Sequence, residues 1–308
     1  MSAPIRHRYV LVTRKTRLEE LVERFNTWPQ AKFYLEHNQV DAGDYLAEHD
    51  LYMHSLLEAE LFLKERGVLQ RIERGFLPNY LFGPDDIIVV IGQDGLVANT
   101  LKYLHGQPVI AINPDPGRWD GKLLSFVMGD LKKAVLRTES RRAGVKSITL
   151  AEARTNDGQS LLAVNDIFAG PRSHTSARYC LTYAAQREVQ SSSGVIVSTG
   201  FGSTGWFQSI LAGAMAVTGA ATHDLQRGFA WDDQRLQFTV REPFPSRTTG
   251  VNLAFGEVTA DKELMLESFM PGNGVIFSDG IEQDYLDFNA GCVVSIGIAK
   301  TSGQLVVA

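Results

Sequence analysis

Apolar positions in this chain follow two different periods, and the change from one to the other divides it. In the first part, apolar runs alternate with stretches of helical spacing. Tyr9 to Val12 reads as a short strand, and Leu18, Leu21, Val22 and Phe25 then follow a helical period with Glu19, Glu20 and Glu23 on the other face. Residues 44 to 66 read as a long helix, with Met53, Leu56, Leu57 and Leu61 as its buried stripe and Gly67 as its stop. Ile87 to Ile91 is an unbroken β-branched run, the pattern of a strand buried on both faces in a parallel sheet. Helical spacing returns at 96, 97, 101 and 104, and Pro108 to Ile112 is a second buried strand, which completes a strand, helix, strand unit. A helix is expected again from Phe126 to about Arg142.

Beyond residue 145 the pattern changes to short apolar strands separated by turns. They are Ser147 to Leu150, Leu161 to Val164, Gly194 to Ser198, Leu236 to Val240, Val251 to Phe255, Leu264 to Glu267, Val275 to Phe277 and Val293 to Ile298. An α/β first domain followed by a mostly β second domain is the expected architecture.

The chemistry concentrates where the strands end. After Ile91 comes Gly92-Gln93-Asp94-Gly95, a loop whose glycines allow close backbone approach and whose amides lead into a helix starting near Leu96. Such a loop can hold a phosphate, and Asp94 within it is the candidate catalytic carboxylate. The same four residues also suit a plain turn. Arg14, Lys15 and Arg17 follow the first strand and either contact phosphates or form a solvated charge cluster. The loop after the second buried strand carries Asn113, Asp115, Arg118, Trp119 and Asp120, with Pro114 and Pro116 stiffening it. Asn165-Asp166 ends an apolar strand, where an amide beside a carboxylate can hold the hydroxyls of a ribose or simply form a turn. Gly200-Phe201-Gly202-Ser203-Thr204-Gly205 formally matches the dinucleotide fingerprint, with Asp224 about twenty residues on. His49 and His54 are spaced off any common helical face and read as surface residues.

In their order, these motifs resemble the NAD kinases, whose loop is related to those of the diacylglycerol, sphingosine and phosphofructokinase groups. Gly92-Gln93-Asp94-Gly95 stands for the family's Gly-Gly-Asp-Gly, with Gln93 in place of the second Gly and Leu96 in place of the usual Thr or Ser. Asn113 opens the family's Asn-x-Gly loop, here Asn-Pro-Asp-Pro-Gly. Asn165-Asp166 stands for Asn-Glu, Thr199 to Gly205 for Thr-Pro-Thr-Gly-Ser-Thr, and Asp279-Gly280 for the late Asp-Gly. The resemblance covers about the last two-thirds of the chain. It implies an α/β, Rossmann-like N-terminal domain over residues 1–130, joined by a C-terminal segment from about 290 to 308, and a β-rich NAD-binding domain over 131–290.

The activity implied is phosphorylation of the adenosine ribose 2′-hydroxyl of NAD to give NADP. ATP or polyphosphate would be the donor, with Mg2+ or another divalent cation. Asp94 would be the base. Gly92, Gln93, Gly95, Asn113, Asn165, Asp166, Thr199, Ser203, Thr204 and Trp206 would bind nucleotide, Trp206 replacing a family Tyr; no residue is assigned as a metal ligand. A homodimer or homotetramer is implied. Two other readings share these residues: an NAD or NADP sensor without catalysis, and a kinase of the same superfamily acting on a lipid or sugar.

Composition narrows the field. The 308 residues are 44% apolar with a net charge of −5, which suits a globular protein and gives no general reason to expect nucleic-acid binding. Cys180 and Cys292 form no metal-binding or disulfide pattern. The first eight residues lack an apolar leader core, and no run approaches the roughly 18 apolar residues of a membrane span, so a cytoplasmic protein is expected. The chain has no G-x-x-x-x-G-K-[ST] loop, no G-x-S-x-G elbow, no H-E-x-x-H and no H-R-D or D-F-G set, which removes P-loop kinases, common hydrolases and protein kinases.

Overall fold

The computed structural model describes residues 7–219 and 222–308, so the expectation about a leader falls largely on residues outside the described ones. The chain forms two compact units, one running to Lys146 and including Gln304–Ala308, the other Ser147–Gly303.

In the first unit the elements are β1 (Arg8–Thr13), α1 (Arg17–Phe25), α2 (Trp28–His37), α3 (Ala42–Arg66), β2 (Val68–Glu73), β3 (Ile87–Ile91), α4 (Asp94–Leu101), β4 (Pro108–Asn113), β5 (Phe126–Val127) and α5 (Leu131–Glu139). The strand order β2-β1-β3-β4 is parallel throughout. Gln304 and Leu305 of the C-terminal strand add to β4 in parallel at Pro108 and Val109. β3 lies between β1 and β4, and all five of its side chains are buried. Burial of each such side chain contributes about 1.5–3 kcal/mol, which is why an unbroken apolar run takes a central strand.

Local signals set the helix starts. Thr16 caps α1, its hydroxyl accepting from the Glu19 amide while the Glu19 carboxylate accepts from the Thr16 amide. Asp41 caps α3 by accepting from the Gly43 amide. The buried face of α3 differs from the expected one. Tyr52, Leu56, Ala59 and Leu63 pack on the sheet with Glu48 and Ser55, while Met53, Leu57 and Leu61 are exposed. Several apolar stripes fit a helix this apolar, and the sheet took the one carrying Tyr52.

The helix expected from Phe126 is shorter. Phe126 and Val127 pair with β4, and α5 begins at Leu131. Leu131, Ala134 and Val135 join the core of the first unit, which runs to Lys146 and includes the last five residues.

The second unit contains β6 (Gly144–Thr155, which starts in the first unit), β7 (Ser160–Ala163), β8 (Asp166–Pro171), β9 (Ala177–Tyr183), β10 (Gln186–Ser192), β11 (Val195–Ser198), α6 (Trp206–Thr218), β12 (Leu236–Val240), β13 (Phe255–Val258), β14 (Leu264–Ser268), β15 (Gly274–Ser278), β16 (Tyr285–Asp287) and β17 (Val293–Val307, whose end lies in the first). One sheet runs β13-β12-β11-β8-β15-β16 and is antiparallel throughout. The other joins β10, β9, β14 and β17, with β6 and β7 attached through β17. Ile167, Val197 and Phe238 from the first sheet share a core with Leu181, Leu266 and Val294 from the second.

Four strands here, β8, β9, β10 and the three-residue β16, had no sequence signal. β10 reads Gln-Arg-Glu-Val-Gln-Ser-Ser and is held by its ladder with β9, not by an apolar face of its own. β8 and β9 are too evenly buried or too mixed to alternate. The strand expected over Val251 to Phe255 begins only at Phe255.

Candidate functional site

Two loop clusters carry the candidate residues, one in each unit. In the first, β1 and β3 are neighbours, while the chain leaves β1 for β2 on one side and β3 for β4 on the other. The carboxyl ends of β1 and β3 therefore form the point at which strand order reverses, where open α/β sheets bind ligands. Arg14 follows β1 there and Gly92 follows β3.

The Gly92-Gln93-Asp94-Gly95 loop is short and unstrained. Gln93 is the residue before α4, with φ −110°, so a side chain there is tolerated at no conformational cost. Neither Gly92 nor Gly95 is left-handed. A Cβ on Gly92 would lie 2.9 Å from the Leu96 side chain, whereas one on Gly95 would meet nothing within 4 Å. Gly95 thus opens onto space at the first turn of α4, where helix amides face outward. The Asp94 carboxylate accepts the amides of Lys122 and Leu123, each at 2.8 Å. An ionised carboxylate has about four acceptor positions, so two remain for a ligand.

The loop following β4 is organised by Asn113. Its Oδ1 accepts the Asp115 amide at 3.0 Å and its Nδ2 donates to the Trp119 carbonyl at 2.8 Å, which shapes the segment that reaches Asp94. Arg118 anchors the same loop, pairing through both ends of its guanidinium with Asp44 at 2.6 and 2.9 Å and with Asp115 at 3.1 Å. Asp44 also binds Arg17 at 2.8 Å, and these two cations hold its carboxyl well below the usual range. Glu48, one helical turn further along α3, binds Arg14 at 2.7 Å and Arg17. Burial pushes the Glu48 carboxyl up, but the two guanidiniums outweigh it and leave it lowered. Lys15 pairs with Glu23 at 2.8 Å. The basic cluster after β1 is therefore compensated by carboxylates, partly buried rather than simply solvated. His49 belongs to its edge, with Nδ1 2.9 Å from the Thr16 hydroxyl, while His54 is exposed as expected.

Tyr52 ties the two strand ends together. Its hydroxyl donates to the Ile91 carbonyl and accepts the Arg14 amide, both at 2.9 Å, and burial pushes the phenol up to about 12. The pattern Asp44, Glu48, Tyr52 places these three on one face of α3. That spacing, set beside Arg14 and Arg17, is the signal from which the network was legible.

In the second unit Asn165 precedes β8 and Asp166 opens it. The Asp279 carboxylate accepts the amides of Val164 at 3.1 Å, Asn165 at 2.6 Å and Asp166 at 3.4 Å, and the Asp279 amide donates to the Asp166 backbone carbonyl at 3.0 Å. Asp166 is buried, and burial with the neighbouring Asp279 charge pushes its carboxyl up to about 7. Thr199 closes the same cluster, its amide donating to the Asn165 carbonyl at 2.9 Å and its hydroxyl to the Val164 carbonyl at 2.5 Å.

Gly200-Phe201-Gly202 is required here by packing. A Cβ on Gly202 would fall 2.0 Å from the Asn165 carbonyl oxygen, and one on Gly200 1.8 Å from that of Ala230. β11 is antiparallel to both of its neighbours, and Asp224 opens a short 3-10 turn, so the formal dinucleotide fingerprint does not sit in a parallel strand-helix-strand unit. The Ser203 hydroxyl is buried, donating to the Gly200 carbonyl at 2.7 Å and accepting the Phe229 amide at 3.0 Å, so it builds the loop. Thr204 is exposed beside it. Trp206 stacks on Phe168 with centroids 5.7 Å apart and carries the Arg241 guanidinium 5.2 Å from its ring, a half-buried position.

Among the described residues no group of three His, Cys, Asp or Glu side chains could hold a metal ion, and no helix is long and apolar enough to cross a membrane. A divalent ion carried by phosphates needs only one or two carboxylates from the protein.

No protein-family profile matches the chain, and no curated protein matches it in sequence. Solved structures do. Yeast NADH kinase complexed with NADH aligns over 99% of this chain and 84% of its own, with a TM-score of 0.59 and 15% identity. An NAD kinase from Archaeoglobus fulgidus in complex with ATP aligns over 97% of this chain and 93% of its own, with a TM-score of 0.54 and 14% identity. With its parallel first unit and antiparallel second, this chain has the fold of the NAD kinases.

Proposed function

We propose that this protein is an NAD kinase-like phosphotransferase that phosphorylates the adenosine ribose 2′-hydroxyl of NAD. The observation that carries the reading is the Asp94 carboxylate, fixed by two amides in an unstrained glycine loop at the reversal point of the sheet. The alignment with an NADH kinase and an ATP-bound NAD kinase over nearly the whole chain supports it.

In this reading the loop and the first turn of α4 hold the donor phosphates of ATP or polyphosphate, since phosphoryl transfer depends on positioning and charge neutralisation. A divalent ion such as Mg2+ would be held through those phosphates and would supply charge neutralisation. Asp94 accepts the proton of the attacking hydroxyl. Asn165 and Asp166 hold the ribose; with its carboxyl near neutrality in titration, Asp166 can donate as well as accept. The protein acts as a cytoplasmic homodimer or homotetramer.

The test mixes the protein with NAD, ATP and Mg2+ and detects product with an NADP-specific dehydrogenase. NADP that forms with the wild type and falls at least about 100-fold with Asp94→Asn is expected. Thermal stabilisation by NAD with no NADP under any donor would instead identify a dinucleotide sensor.

A further inference from the structure

Helix α3 is apolar on two opposite sides. The inner side packs on the sheet through Tyr52, Leu56, Ala59 and Leu63. On the outer side Met53, Leu57 and Leu61 form a second row at intervals of four residues and are 37%, 56% and 57% exposed. A helix that is apolar all round is covered all round in a stable protein, so the outer row calls for a partner.

Charge on that outer side is acidic. Asp50, Glu58 and Glu65 are exposed, and their spacing keeps them along the apolar row. Helix α5 lies beside α3, with Lys132 Nζ 6.0 Å from the centre of the Phe62 ring and Arg66 at the end of α3 binding Glu139 at the end of α5 at 2.6 Å. The outer side of α5 is basic. It presents Lys132, Lys133 and Arg137, with Leu136 45% exposed among them. Among the described residues none of these six charges on the two helices is in an ion pair.

One face of the first unit thus carries an acidic, apolar row and a basic row side by side. A partner charged with one sign would meet its like on one of the two helices. A second copy of the chain matches both. A two-fold axis running along the groove between α3 and α5 sets the acidic row of each copy against the basic row of the other.

We propose that this face is an isologous interface between two copies of the chain, with the outer apolar row of α3 closed between them. It names a surface for the assembly proposed above and does not rest on the chemistry assigned to Asp94.

The test measures self-association of the full chain by sedimentation equilibrium. Charge is reversed on α3 with Asp50→Lys/Glu58→Lys and on α5 with Lys132→Glu/Lys133→Glu. All four side chains are exposed, and an unchanged melting temperature verifies that each variant folds. Either variant alone is expected to associate at least about tenfold more weakly than wild type, because it sets like charge against like. An equimolar mixture of the two is expected to recover wild-type association, since each reversed row then meets an opposite one. Should a reversed variant not fold, Leu57→Asp, which puts a charge into the exposed apolar row, decides in its place with the same expected loss. A wild type that stays monomeric, a folded variant that keeps wild-type association, or a mixture that stays weakened overturns the proposal. NADP formation scored on the same preparations separates that failure from a failure of the kinase reading.

Discussion

Asp94 Oδ1 accepts the backbone amide of Leu123 at 2.8 Å, and this bond, with its twin from Lys122, fixes the carboxylate against a loop that is itself anchored through Arg118 and Asp44. The carboxylate is held by main chain, so its position does not depend on any one neighbouring side chain. In Asp94→Asn an amide N–H2 faces one of these N–H groups, and the loss should be about 1 kcal/mol of stability. Turnover should fall far more, by at least about 100-fold, with nucleotide binding retained. Urea unfolding and single-turnover rates on the same variant separate the two effects; comparable small losses in both would remove Asp94 from the reaction.

Two glycines make contrasting predictions. A methyl group at Gly95 meets no protein atom and the residue lies in α4 with an ordinary φ, so Gly95→Ala should raise stability by about 0.4–1 kcal/mol and weaken donor binding several-fold. At Gly202 the methyl collides with the Asn165 carbonyl, and Gly202→Ala should cost about 2 kcal/mol as the Asn165 segment is pushed away. Calorimetry of the two variants with and without nucleotide checks both. A stable Gly202→Ala with wild-type NAD affinity would contradict the role given to this packing.

Asp166 makes stability depend on pH. Its carboxyl titrates near 4 in an unfolded chain and is pushed up to about 7 in the fold. The folded state therefore binds more protons between these values, and the Asp166 contribution, fully present below about pH 4, is lost as pH rises through 7. The slope is at most about 1.4 kcal/mol per pH unit. Asp166→Asn should flatten the stability profile between pH 4 and 7, and chemical denaturation across that range measures it. A profile that keeps the wild-type slope assigns the titration to another group.

Gln93 stands where a resembling loop has glycine, yet its backbone is extended. Gln93→Gly should relieve no strain and instead lower stability by about 0.5–1 kcal/mol through added freedom of the unfolded chain. Turnover should stay within a few-fold of wild type. A tenfold gain in turnover would mean that the Gln93 side chain obstructs the donor.

The sequence by itself determined the elements whose burial is uniform or whose ends are marked. Ile87 to Ile91 needs two covered faces and could only be a central strand, Thr16 and Glu19 start α1 by their own hydrogen bonds, and Asp94 is placed by the strand before it and the helix after it. The order of motifs, through Asn165-Asp166 and Thr199 to Gly205 to Asp279, made the fold class legible. Tertiary structure alone decided the rest, because the deciding partner is distant in sequence. β10 is a strand only through β9, and the buried face of α3 was chosen by the sheet from among equally apolar stripes. Ser203 became a builder of its loop because Phe229 and Gly200 reach its hydroxyl. Asp279 carries the Asn165-Asp166 segment on its carboxylate across more than a hundred residues of chain, an arrangement that no local pattern encodes.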